Sequence, residues 1–215
     1  MANLEFDSVK DSGKRQEFDT GSKRDTREGK GRYDLMPGYA MRTIGSGNFH
    51  AMSPIAVFRL ARHYENGAVK YGPDNWLKGQ PLRRYLDSAI RHMFKVVEGM
   101  TDEDHQAAAI WNMVAFVETK YRIGLGVLPK DLNDMPLPAE PDHGMACELA
   151  AVESPSAPCL EQHLNTAISE AFKTLEGWTD YDHAAASAAS MMRYLDMYHK
   201  MHSTPPVASG NIAKN

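Results

Sequence analysis

Glu98-Gly99-Met100-Thr101-Asp102-Glu103-Asp104-His105 returns 78 residues later as Glu176-Gly177-Trp178-Thr179-Asp180-Tyr181-Asp182-His183. The match continues without a gap on both sides. Leu86, Ala89, Ile90, Phe94 and Lys95 correspond to Leu164, Ala167, Ile168, Phe172 and Lys173, and Ala107, Ala108 and Met113 to Ala185, Ala186 and Met191. Each copy has apolar residues at helical spacing, a glycine suited to stop a helix, and a Thr with acids suited to cap the next one. The chain is therefore read as carrying a duplicated helical hairpin. A hairpin of two helices cannot bury its apolar faces alone. The two copies either close one bundle with the helix that precedes them, or their faces are completed by a second chain. The predicted fold is all-α: a helical bundle with an extended N-terminal arm and a duplicated helical hairpin.

Upstream of the first copy, Pro54 to about Lys70 reads as a helix, with a proline in its first turn and Gly72-Pro73 as its stop. Val57, Leu60, Ala61, Tyr64 and Ala68 form its apolar stripe. Further helices are expected over about Leu82–Glu98, ending at Gly99, and from Thr101 to about Arg122, with Thr101 and Asp104 as a capping box. Residues 1–48 are polar and rich in glycine, hold no persistent period, and read as the extended arm. The first helical unit then spans 49–123, a Pro-, Ala- and acid-rich linker 124–158, the degenerate repeat hairpin 159–202, and a tail 203–215.

Composition excludes several classes. A hydrophobic share of 42% and a charged share of 24% are ordinary for a globular protein in water. The formal net charge of −4 gives no electrostatic case for nucleic-acid binding. No apolar run approaches the ~20 residues a membrane helix needs, and the polar first residues carry no secretory pattern, so a cytoplasmic location is expected. Cys147 and Cys159 read as free thiols rather than a disulfide or metal site.

Several residues could carry chemistry, each with a plainer alternative. Glu65 lies at the edge of its helix's apolar stripe, near Phe58 and Ala61. It is either a boundary residue with its head in water or a carboxylate that is paired, hydrogen-bonded or metal-bound. Asp87, Arg91, Phe94 and Glu98 share one helix face, as a surface ion pair would and as carboxylates aimed into a bundle would. Asp102, Glu103 and Asp104 suit a helix first turn, where acids satisfy free N–H groups, and with Glu98 they also suit a divalent cation. His105 and Asn112 share a face among small alanines, which fits a satisfied core or a ligand site; His92 projects from another side of its own helix. Arg24, Lys30 and Arg32 sit among glycines, as a solvated arm or as a phosphate-binding one, without the spacing of a Walker A loop.

In order, the chain reads Gly29-Lys30-Gly31-Arg32-Tyr33-Asp34-Leu35-Met36-Pro37, then His63-Tyr64-Glu65-Asn66-Gly67-Ala68-Val69-Lys70-Tyr71-Gly72, then Asn75-Trp76, Arg91-His92, Asp102-Glu103-Asp104-His105 and Asn112. Over about residues 20–122 this order resembles the phage dATP/dGTP diphosphohydrolase N-terminal family. It is also similar to the MazZ-like members of the MazG-like, all-α nucleoside-triphosphate pyrophosphohydrolase superfamily. The resemblance implies Mg²⁺- or Mn²⁺-dependent hydrolysis of a purine deoxynucleoside triphosphate to the monophosphate and pyrophosphate. It implies a role in phage control of the nucleotide pool, and a homo-oligomer. By residue, it implies Glu65 and Asp102 as metal ligands, with Asp87, Glu98 and Asp104 in reserve, and Glu65, His92 and His105 as catalytic groups, the histidines orienting water or phosphate. Lys70, Arg91, Arg24, Lys30 and Arg32 would meet the triphosphate, and Asn75, Trp76 and Asn112 would line the base or sugar pocket.

The chain departs from the superfamily pattern. It contains no Glu-x-x-Glu, and the later Glu-x-x-Asp slot reads Asp102-x-x-His105. A non-catalytic nucleotide-binding or host-interaction protein is one alternative; an HD-type phosphohydrolase, suggested by clustered Asp and His, is another. The two copies diverge where the chemistry is expected. Asp87 becomes Asn165, Arg91-His92 becomes Ser169-Glu170, and Asn112 becomes Ser190. This points to one working site in the first unit, with the second unit packing against it or standing in for a partner subunit.

Overall fold

The computed structural model describes residues 13–45, 52–136, 160–176 and 182–202. The expected tail, both cysteines, residues 137–158 of the expected linker and residues 177–181 of the second copy lie outside the described residues. Six α-helices are present among the described residues: α1 (Gly38–Ile44), α2 (Pro54–Tyr71), α3 (Leu82–Val97), α4 (His105–Gly124), α5 (Leu160–Glu176) and α6 (His183–His202). α3 pairs with α4 and α5 with α6, and the two hairpins pack together through α4 against α6 and α3 against α5. α1 and α2 both pack on α4 and α6, which completes an all-α bundle. No helix among the described residues is long and apolar enough to cross a membrane.

The capping chemistry follows the sequence closely. Ser53 caps α2, its side chain accepting from the Ala56 N–H, with Pro54 behind it, and its hydroxyl donates 3.0 Å to Asp196 on α6. α3 ends in a Schellman arrangement: the Met100 N–H donates to the Lys95 carbonyl, the Gly99 N–H to Val96, and Gly99 takes a φ of 71°. One boundary differs from expectation. α4 begins at His105 rather than Thr101, because the side chain of Asp104 accepts from the Ala107 N–H at 3.0 Å and so becomes the N-cap. Asp182 does the same to Ala185, also at 3.0 Å, so the cap is repeated along with the phrase.

The segment read as an extended arm is extended only in part. It carries a short antiparallel hairpin, β1 (Arg15–Glu17) with β2 (Lys23–Asp25), then a 3₁₀ turn at Tyr33–Leu35, then α1. α1 is too short to show a period in sequence. It forms because Ala40, Met41 and Ile44 are buried in the core and because Glu118 of α4 accepts from the Ala40 N–H at 3.1 Å. α4 is buried around most of its circumference, from His105 to Thr119. Its alanines, with those of α6, keep the side chains short where the two central helices meet.

Candidate active site

α2, the turn after it, α3 and α4 enclose a cavity of about 440 Å³. The turn is set by Gly72 and by Asp74, which sits in the left-handed region at φ 60°. It brings Asn75 and Trp76 onto the cavity wall, facing His92 of α3 and Asn112 of α4. Aromatic rings brace the wall. Trp111 lies 5.8 Å from His63, 6.0 Å from Tyr64 and 6.2 Å from Tyr85 between centroids, and Trp76 meets Tyr64 edge-on at 6.2 Å. Burial lowers the pKa of His63, so its ring is uncharged near neutral pH. Asn112 donates to the Ala108 carbonyl at 2.8 Å, which fixes its amide plane.

At one edge of the cavity the loop between α3 and α4 brings three expected residues together. Nδ1 of His92 lies 3.0 Å from Nδ1 of His105, and Nε2 of His105 lies 2.7 Å from Asp102. Lys95 stands 3.6 Å from the same carboxylate. Both rings are buried. Burial pulls the pKa of His92 down to about 4, so it is a neutral imidazole at neutral pH; the hydrogen bond from His105 holds Asp102 below the usual carboxylate range. Glu103 adds an exposed carboxylate. One donor atom each from His92, Glu103 and His105 lie within 4.8 Å of one another, a group that could hold a metal ion.

The other expected residues are placed elsewhere. Glu65 binds the arm: one oxygen accepts from the Gly29 N–H at 2.8 Å, and the other from the Gly31 N–H at 2.9 Å and from Arg62 at 3.0 Å. Gly31 can be nothing larger there, since a Cβ would lie 2.9 Å from that of Ala61 and its φ is +77°. Asp104 serves as the cap and pairs with Arg59. Asp87 is exposed, 3.8 Å from Arg84, and with Arg91 lines a separate groove beside Phe172 of α5. Glu98 is exposed at the end of α3. In the arm, Arg32 forks onto both oxygens of Asp34 at 2.8 Å, lowering that carboxyl to about 2; Lys30 reaches Asp25 at 3.4 Å, and Arg24 is exposed in β2. Lys70 is exposed and lies over the ring of Tyr71.

Thus Asn75, Trp76, His92 and Asn112 share the cavity, Asp102 and His105 join through His92, and the other nine expected residues do not line it. Sequence reasoning missed His63, Tyr64, Ser88, Arg84 and Trp111 on the wall, whereas Glu103 of the metal-capable group is among the acids read as suited to a divalent cation. A signal for two of the missed residues was present. Arg84 and Trp111 become Gln162 and Ala189 in the second copy, changes as large as those at His92 and Asn112.

No curated protein and no solved structure matches the chain significantly. The family model described as dATP/dGTP diphosphohydrolase, N-terminal, matches residues 20–124, a segment that contains every cavity-lining residue and the whole His92–His105–Asp102 cluster. Residues 20–124, just under half of the chain, thus match the dATP/dGTP diphosphohydrolase N-terminal family.

Proposed function

We propose that the first helical unit hydrolyses a purine deoxynucleoside triphosphate, dATP or dGTP, to the monophosphate and pyrophosphate. One observation carries this reading: an aromatic cavity of about 440 Å³ and a buried His–His–Asp cluster on its edge coincide within the family-matched segment. That volume falls in the usual range of small-molecule sites. The indoles of Trp76 and Trp111 offer apolar surface to a purine, Asn75 and Asn112 offer hydrogen bonds to its edge or to the sugar, and Arg84 offers a guanidinium to the phosphates. In the reaction a water oxygen bonds to the α-phosphorus and the bond from that phosphorus to the α–β bridging oxygen breaks. Pyrophosphate leaves with the electron pair, and the proton of the water is released. The protein's part is positioning and charge neutralisation, with His92 orienting the water.

The Mg²⁺ that the family resemblance implies calls for oxygen ligands in a near-octahedral array. Glu65, Asp87, Glu98 and Asp104, four of the five acids expected to supply them, are engaged or placed away from the cavity, and the fifth, Asp102, is held by His105. The site does not fit an oxygen-only Mg²⁺ centre, and no step above is routed through one.

The test is chromatography of the products from each of the eight common nucleoside and deoxynucleoside triphosphates, with and without added Mg²⁺ or Mn²⁺. Deoxynucleoside monophosphate with pyrophosphate from dATP or dGTP is the expected result. Release of triphosphate would favour the HD-type reading, for which the histidine-rich cluster is the supporting observation. Thermal stabilisation by nucleotide without any product would favour a binding protein, and no turnover of any nucleotide would sink the proposal. The same reading places the protein in the cytoplasm of a phage host as a homo-oligomer, which light scattering on the purified chain would check.

A further inference from the structure

We propose that His92, His105 and Glu103 form a binding site for one divalent transition-metal ion, of the Mn²⁺, Co²⁺ or Zn²⁺ kind, in preference to Mg²⁺. The donor set is two imidazole nitrogens and one carboxylate. Imidazole suits such ions, whereas Mg²⁺ favours oxygen and keeps much of its water. The spacing suits them as well. With metal–nitrogen bonds of about 2.1 Å, two nitrogens on neighbouring vertices stand about 3.0 Å apart in an octahedron and about 3.4 Å in a tetrahedron. The two Nδ1 atoms are already 3.0 Å apart. An ion bridging them would take the place of the present contact between the rings, each ring turning to aim its nitrogen at the metal.

The remaining pieces agree. Asp102 accepts from His105 Nε2 at 2.7 Å, which leaves Nδ1 of that ring bare for a metal and fixes the ring's orientation. Glu103 Oε2 lies 4.0 Å from His105 Nδ1 on an exposed side chain, so a movement of about 1 Å brings it to ligand spacing. His92 also lines the cavity, so the ion would stand at its edge.

The chain contains its own control. In the second unit Glu170 occupies the position of His92 and bonds to Nδ1 of His183, with Lys173 on its other oxygen. Tyr181 replaces Glu103. The same hairpin thus folds around a His–Glu hydrogen bond, with one nitrogen donor fewer, so the paired histidines of the first unit are not something the fold requires.

This site shares His92 and His105 with the hydrolase reading, but its test does not use turnover. The full chain, stripped with chelator, is titrated calorimetrically with Co²⁺, Zn²⁺, Mn²⁺ and Mg²⁺, and Co²⁺ binding is followed by its visible ligand-field bands. The expected result is one site per chain for Co²⁺ and Zn²⁺, at least tenfold tighter than for Mg²⁺. His92→Gln, which keeps a hydrogen bond to His105, should weaken it at least about 100-fold. Glu103→Gln, at an exposed position that cannot unfold the protein, should weaken it about tenfold, and Asp102→Asn by roughly 10- to 100-fold. Equal affinity for Mg²⁺ and Co²⁺, absent ligand-field bands, or unchanged binding in Glu103→Gln and His92→Gln would overturn the proposal. If binding is as expected but no nucleotide is turned over, the metal site stands and the hydrolase reading falls.

Discussion

The α3–α4 and α5–α6 hairpins share part of their core and their caps, and differ at every cavity residue but Ala108. Leu86, Ala89 and Met113 recur as Leu164, Ala167 and Met191, all buried, and Asp104 and Asp182 make the same cap. Arg84, Ser88, His92, Trp111 and Asn112, which line the cavity, recur as Gln162, Thr166, Glu170, Ala189 and Ser190. His105 and His183 are both buried, yet one faces a histidine and the other a glutamate. The hairpin therefore needs its stops, caps and apolar stripe, while the residues facing the cavity are free to change. Under the proposed function, scaffold and site are separable, and the second unit is the scaffold without those side chains.

Making the first unit resemble the second is the sharpest way to break that comparison. His92→Glu copies Glu170. It should keep the melting temperature within a few degrees, because the second unit packs the same pair, and lower turnover of dATP or dGTP at least ~100-fold. Turnover close to wild type would mean that the divergence at this position is neutral. Asn112→Ser copies Ser190, and a serine can still bond back to the Ala108 carbonyl. Its expected effect is a rise in KM of about tenfold with kcat little changed, as loss of one ground-state hydrogen bond predicts; a fall in kcat alone would remove Asn112 from substrate binding.

Glu65 has no counterpart before the second unit, and its carboxylate holds the arm rather than the cavity. Glu65→Gln should cost about 1–3 kcal/mol in denaturant unfolding and speed proteolysis around residues 13–35, with Co²⁺ affinity unchanged. Loss of the metal with intact stability would restore Glu65 to the ligand set. The smallest effect concerns Asp34. Arg32 lowers its folded pKa to about 2 from 3.8, so this carboxylate stabilises the fold above pH ~4, and that contribution disappears as pH falls toward 2. Asp34 is about half exposed, so screening holds the effect below about 1 kcal/mol. Asp34→Asn should flatten the acid limb of a stability–pH curve by that amount and no more.

The sequence by itself determined the elements that depend on neighbours within a turn or two. The Gly99 stop, the Pro54 start, the stripe of α2 and the order of the motifs were legible, because caps and apolar periodicity act within about four residues. The family resemblance rested on the same local motifs, and the match over residues 20–124 agrees with it. The four cavity residues read from sequence, Asn75, Trp76, His92 and Asn112, sit in or beside those motifs.

Only the tertiary structure decided which side chains meet. Glu65 is read from sequence as a ligand; that its two oxygens accept from the backbone of Gly29 and Gly31, more than 30 positions away, only the tertiary structure shows. α1 exists because α4 and α6 cover it and Glu118 caps it, not because seven residues prefer a helix. His92 and His105 belong to different helices, and only the packing of α3 on α4 closes the gap between them to 3.0 Å. Periodicity fixes the face on which a residue lies. What that face meets is set by the path of the loops and by the burial of apolar area along whole helices, which no local window contains.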